Sequence, residues 1–248
     1  MTTPTRLSLA ERWLSWVVRE EAAHVLSPAQ HREVARLMEE YVTGMAQLAG
    51  LPPLVAIFGS ARTPSDAPAY LAAVETASLL AEAGFGILTG GGPGIMEAAN
   101  RGGREGGTRS IGCPIHLERG EPANPYLDVT IPFTCFAPRK ATLLSASAFV
   151  VFPGGFGTLD ELFEVLVAIQ TQQRACGPLI LYDSAFWGGL VDFVRQTLVE
   201  VGTIDPADPD LLCLADDPQE IVRLIPTCCQ DEGRPGQHAA WCHEAGAP

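Results

Sequence analysis

The sequence predicts an α/β protein: a doubly wound parallel sheet with helices on both faces, preceded by an N-terminal helical extension. Three observations predict it. From Leu54 onward, short apolar runs alternate with segments of helical periodicity. Three of those runs end in glycine or polar turns, at Gly59-Ser60, Gly90 to Gly94 and Gly154 to Thr158. The chain has 248 residues, 47% of them hydrophobic, which is enough for one large domain with a proper core.

The elements follow in order. Residues 1–50 read as two helices, the first with Leu9, Trp13, Trp16 and Val17 on one face. The second opens at Ser27-Pro28, an N-cap with proline at the first helical position, and ends at Gly50-Leu51-Pro52-Pro53. This extension either pads the core or makes a subunit contact. Residues 51–226 form the main domain. Leu54–Phe58 is its first strand, followed by a helix through Tyr70–Ala83, a strand Phe85–Leu88 and a helix Ile95–Arg104. Shorter strands at Thr108–Cys113 and Leu127–Ile131 precede a helix over Pro138–Ala146. The run Ala148–Phe152 then leads into the third turn and its helix. Strands Pro178–Tyr182 and Leu211–Leu214 alternate with helices Trp187–Val199 and Pro218–Leu224. Residues 227–248 are rich in glycine, proline and charge and read as a disordered tail.

Composition narrows the partners. The formal net charge is −13, which disfavours nucleic acid and anionic membrane. A small anionic ligand would need a local positive pocket. No apolar run reaches eighteen residues, and Met1-Thr2-Thr3-Pro4 does not open a signal peptide. The seven cysteines, scattered without a framework, suit a reducing cytoplasm. Cys228, Cys229, His238, Cys242 and His243 crowd the tail without metal-ligand spacing, so no metal is expected. His116 reads as a loop histidine.

The glycine turns carry the functional signal. Strand, Pro153-Gly154-Gly155-Phe156-Gly157-Thr158-Leu159-Asp160-Glu161, helix is the order that seats a phosphate: glycine admits an anion close to the backbone, and the helix start offers unpaired N–H groups. Thr158-x-x-Glu161 is also a capping-box pattern, and both readings stand at this point. Neither turn is a dinucleotide fingerprint, because the third glycine is replaced by Ile95 in one and Asp160 in the other. No Walker loop exists. A mononucleotide or sugar phosphate fits better. Pro138 at a helix start would place Arg139 and Lys140, the sole lysine, in a first turn, against the helix dipole by about 0.3–1 kcal/mol each. Such a local violation points mildly to function.

Gly90-Gly91-Gly92-Pro93-Gly94-Ile95-Met96-Glu97-Ala98-Ala99-Asn100, the Arg139-Lys140 pair and the Pro153–Glu161 motif together resemble the LONELY GUY (LOG) family, whose members often carry the older label "possible lysine decarboxylase". The resemblance runs from about Leu54 to Val199. It implies a Rossmann-like sheet, a dimer or larger assembly with sites near the subunit interface, and a phosphoribohydrolase that cleaves cytokinin riboside monophosphates or AMP to free base and ribose 5-phosphate. It further implies Arg139 and Glu161 as the catalytic pair. Gly154, Gly155, Gly157 and Thr158 match the phosphate loop, and Gly91, Gly92 and Gly94 a second glycine wall. Lys140, Ser60 and Glu97 match further binding positions. No cofactor is implied.

Chemistry supports the same roles. Loss of a base leaves an oxocarbenium-like ribose, which a carboxylate stabilises. Placed at a helix start, Glu161 is expected to stay ionised. Decarboxylation by pyridoxal phosphate would need a Schiff-base lysine, and Lys140 reads better as a ligand contact. The alternative is a carrier that holds a nucleotide or molybdenum cofactor without cleaving it.

Overall fold

The computed structural model describes residues 26–116, 122–173 and 177–229, with side chains placed as far as Ile225. The expected first helix and the tail beyond Cys229 lie outside the described residues.

The strands are β1 (Leu54–Phe58), β2 (Gly86–Thr89), β3 (Ser110–Gly112), β4 (Val129–Thr130), β5 (Ala148–Val151), β6 (Leu179–Tyr182) and β7 (Leu212–Ala215). They form one parallel sheet in the order β4-β3-β2-β1-β5-β6-β7. The chain therefore builds outward from β1 in one direction, returns, and builds outward in the other. β1 and β5 lie side by side, Ala56 opposite Phe149 and Ile57 opposite Val150. That is where the winding reverses, and a crevice opens there above the strands' carboxyl ends.

Strand periodicity divides the core in two. Leu54, Ala56 and Phe58 face one layer, and Val55 and Ile57 the other. The first layer packs under α4 (Phe136–Leu143), α5 (Phe156–Gln170) and α6 (Ser184–Asp192), through Leu143, Leu162, Val165, Ile169, Trp187 and Val191. The second packs under α2 (Pro68–Glu82), α3 (Ile95–Glu105) and α8 (Pro218–Cys229), through Tyr70, Ala77, Leu80, Ile95, Ala98, Ile221 and Ile225. Both faces of β1 are buried, so it is apolar at every position. The doubly wound α/β architecture is the expected one.

Helix boundaries differ from expectation where their start signals are weak. α5 begins at Phe156, with Gly155 as N-cap and no side-chain cap. Thr158 is thus the third helical residue and Glu161 the sixth, so there is no Thr158–Glu161 capping box, and Glu161 lies in the second turn. α4 likewise begins two residues before Pro138, capped at Cys135. Arg139 and Lys140 follow the first turn, Lys140 falls in the last, and the expected conflict with the dipole disappears. α6 passes into a π-helical segment, Phe193–Leu198, and then α7 (Val199–Val201). α8 extends to Cys229, past the expected Leu224. Cys213 on β7 is disulfide-bonded, which the scattered cysteine spacing did not suggest.

α1 (Pro28–Leu48) starts as expected, with Pro28 at its first position. Ser27 and Gln30 form a reciprocal capping box, Ser27 N donating to Gln30 Oε1 at 2.8 Å. It packs on α4. Glu40 accepts from Thr134 N at 3.1 Å and Cys135 N at 3.2 Å, engaging backbone donors at the start of α4. Gly44 lies so close to α4 that a Cβ there would overlap Thr142 Oγ1. Packing of α1 against the main domain is therefore direct.

Candidate functional site

A cleft of about 720 Å³ occupies the crevice over β1 and β5. Its walls come from the turn after β1 (Gly59, Ser60, Ala61, Arg62), the start of α5 (Gly155 to Glu161), Gly90, Met96, Phe136 and Arg139. One hydrogen bond sets the two main walls side by side: Ser60 N donates to Pro153 O at 3.0 Å.

Arg139 and Glu161, separated by twenty-one residues in sequence, meet across α4 and α5. Arg139 Nη1 donates to Glu161 Oε1 at 3.0 Å. Nε donates to Cys113 O at 2.8 Å, which fixes the plane of the guanidinium. A Cβ at Gly90 would overlap Arg139 Nη2, so glycine there is what admits the arginine. Glu161 is only 8% exposed, yet it lines the cleft. Burial raises its pKa above the ordinary 4.5, with Arg139 and then Lys140 opposing. The expectation of a dipole-held anion is thus corrected: the cations, not the helix start, favour its charged form. The Cys113 thiol is pushed up to about 12 by burial, and so is no nucleophile at neutral pH.

The α5 start presents bare backbone. A Cβ at Gly155 or Gly157 would meet nothing within 4 Å. Thr158 is buried beside it, and Gly154, just outside the lining, is packed against the Thr158 side chain. Phe156 is 90% exposed at the cleft edge. Phe136, half-exposed, begins α4 as Phe156 begins α5. These two phenyl groups and Met96 give the cleft an apolar side.

The structure thus brings Ser60, Arg139, Gly155, Gly157, Thr158 and Glu161 to one cavity. Gly91, Gly92, Gly94, Glu97, Lys140 and Gly154 do not line it. Glu97 accepts from Tyr70 Oη at 3.0 Å. Lys140 Nζ is held 2.8 Å from both Asp160 Oδ1 and Glu164 Oε2, the second contact lacking hydrogen-bond alignment. Burial lowers the Lys140 pKa, but those two carboxylates outweigh it, and the net shift is upward. Its amine is a protonated strut between α4 and α5.

Gly91 to Gly94 form a filled turn. Asn124 donates from N to Gly91 O at 2.9 Å and from Nδ2 to Gly92 O at 3.0 Å. Thr89 Oγ1 accepts from Gly91 N at 2.9 Å and donates to Asn100 Oδ1 at 2.6 Å. Sequence reasoning missed Asn124, Asn100, Thr89, Phe136 and Glu40. Asn124 sits in a Pro- and Asn-containing loop, where turn chemistry is the ordinary explanation for it, and no local signal pointed to Glu40.

Fold and site together define a doubly wound α/β protein with an ion-paired acid and an open helix N-terminus at its topological switch point. The chain belongs to the family described as "Possible lysine decarboxylase", also called LONELY GUY, whose model matches residues 96–225. It is 31% identical over 154 residues to a probable cytokinin riboside 5′-monophosphate phosphoribohydrolase of Oryza sativa subsp. japonica, an alignment covering 61% of this chain and 72% of the relative. An Arabidopsis thaliana cytokinin riboside 5′-monophosphate phosphoribohydrolase is 28% identical over 157 residues, covering 62% and 73%. Among solved structures, the molybdenum cofactor carrier protein of Chlamydomonas reinhardtii shares the fold, with a TM-score of 0.55, 20% identity and coverage of 72% of this chain and 99% of that one. No helix among the described residues is long and apolar enough to cross a membrane.

Proposed function

We propose that this protein hydrolyses the N-glycosidic bond of nucleoside 5′-monophosphates, cytokinin riboside monophosphate or AMP, to free base and ribose 5-phosphate. The single observation that supports it most is the Arg139–Glu161 pair, 3.0 Å apart, in the same cleft as the unobstructed Gly155–Gly157 backbone. A phosphate on the α5 N-terminus puts the attached ribose toward Glu161, one and a half turns further along. As the base leaves, positive charge grows on the ribose. A poorly solvated carboxylate stabilises such a charge more strongly than a hydrated one. Arg139 holds that carboxylate in place and faces the same space. Phe136, Phe156 and Met96 supply the apolar walls that a planar base requires.

Decarboxylation through a lysine Schiff base has no support. Lys140, the sole lysine, does not line the cleft and is engaged by Asp160 and Glu164. The second reading, a carrier of a nucleotide or molybdenum cofactor, accounts for the shared fold and the cleft but gives Glu161 no task. Self-association belongs to the proposal too: Tyr41, Val42 and Met45 on α1, and Phe163 and Val167 on α5, expose apolar surface, which size-exclusion chromatography with light scattering will test.

The test of function is incubation with AMP and with isopentenyladenosine monophosphate, measuring free base and ribose 5-phosphate. Release of both products in equal amounts is expected. Tight nucleotide binding without release would favour the carrier.

A further inference from the structure

We infer that Arg62 is the phosphate-binding cation of this cleft and the residue that makes it select phosphorylated over unphosphorylated nucleosides, an inference that rests on the phosphoribohydrolase reading of the site.

The chain carries a formal net charge of −13, and Asp160 and Glu161 both line the cleft. A 5′-monophosphate brings up to two more negative charges. Among the described residues, the cations lining the cleft are Arg62 and Arg139. Arg139 is engaged twice, by Glu161 and by Cys113 O. Lys140, behind the wall, is engaged by Asp160 and Glu164. The Arg62 side chain has no hydrogen bond or ion pair among the described residues. A helix N-terminus supplies roughly half a unit of positive charge, well short of a phosphate dianion. Arg62 supplies a full unit.

Position agrees. Ser60 is bonded to Pro153 O, directly before the open glycine turn, and Arg62 N donates to Ser60 Oγ at 3.1 Å. The turn after β1 is thereby fixed beside the glycines, with Arg62 two residues from that junction. An exposed guanidinium there keeps its side-chain freedom until an anion orders it, and its planar fork matches a pair of phosphate oxygens.

The experiment is calorimetric titration of wild type, Arg62→Ala and Arg62→Lys with ribose 5-phosphate, AMP and adenosine, at low and high salt. Arg62→Ala is expected to weaken ribose 5-phosphate and AMP about 10–100-fold. Arg62→Lys should recover part of that loss, adenosine affinity should stay the same, and the salt dependence should shrink. In turnover, KM for AMP should rise more than kcat falls. Ribose 5-phosphate affinity within about twofold of wild type in Arg62→Ala would overturn the inference, as would an equal loss for adenosine. Binding is read apart from base release, so a wild type that binds in an Arg62-dependent way without hydrolysing counts against hydrolysis and leaves Arg62 in its role.

Discussion

Two glycine-rich turns sit at carboxyl ends of strands in this sheet, and they are used in opposite ways. In the turn after β2, glycine makes room for protein: Gly90 for the Arg139 guanidinium, Gly94 for the Ser60 carbonyl, with Asn124 on the Gly91 and Gly92 oxygens. In the turn after β5, Gly155 and Gly157 have empty space where a side chain would be. Glycine content alone therefore does not mark a ligand seat. What distinguishes the second turn is that its unfilled glycines, Gly155 and Gly157, line the cleft.

If the open turn is the working one, the acid beside it carries the largest effect. Glu161→Gln is expected to lower kcat by roughly 10²–10³-fold, with ribose 5-phosphate affinity and circular dichroism unchanged. An active Glu161→Gln enzyme would overturn its role.

The next largest effect contrasts the turns directly. Gly94 has φ +66°, and an added Cβ would run into Ser60 O. Gly94→Ala should destabilise the protein by at least about 2 kcal/mol, lowering Tm by roughly 4–8 °C. Gly157→Ala should leave Tm within about 2 °C of wild type or slightly higher, since alanine suits a helix better, while raising KM for AMP. If both substitutions destabilise equally, the contrast fails.

Support from α1 comes third. Glu40→Ala removes the acceptor for the Thr134 and Cys135 amides and should cost about 1 kcal/mol in denaturant unfolding. Loss of activity several-fold greater than loss of folded protein would show that the start of α4 positions Arg139.

The smallest effect is in pH. Glu161 is raised in the folded state, so the native protein holds its proton more tightly than the unfolded chain does. That contribution is fully present below about 4.5 and fades as pH rises through the folded pKa. Wild type should therefore lose stability relative to Glu161→Gln across that window, measured by urea unfolding at several pH values. The rate, which needs the anion, should fall on the acid side with an apparent pKa above 4.5.

The sheet was legible because both faces of β1 and β5 are buried, which writes unbroken apolar runs at Leu54–Phe58 and Ala148–Val151. Helix starts were less so. α5 is capped by Gly155, whose missing side chain leaves no signature, and Thr158-x-x-Glu161 imitates one three residues too late. At the site, family motifs pointed to Arg139 and Glu161, which the fold brings into contact. Those motifs grouped the filled glycines with the open ones, and took Lys140 for a ligand contact. Arg62 and Phe136 passed unmarked, because an arginine in a turn and a phenylalanine two residues before a proline look ordinary in one dimension.

Arg139 and Lys140 are consecutive, and Asp160, Glu161 and Glu164 share little more than one turn of α5. Two stitches placed back to back thus lace the helices together, one showing in the cleft and one behind it. The Arg139–Glu161 pair is thereby braced by its neighbours on both helices. On the proposed function, substrate preference would then fall to the borders of that pair, the β1 turn and the two phenylalanines.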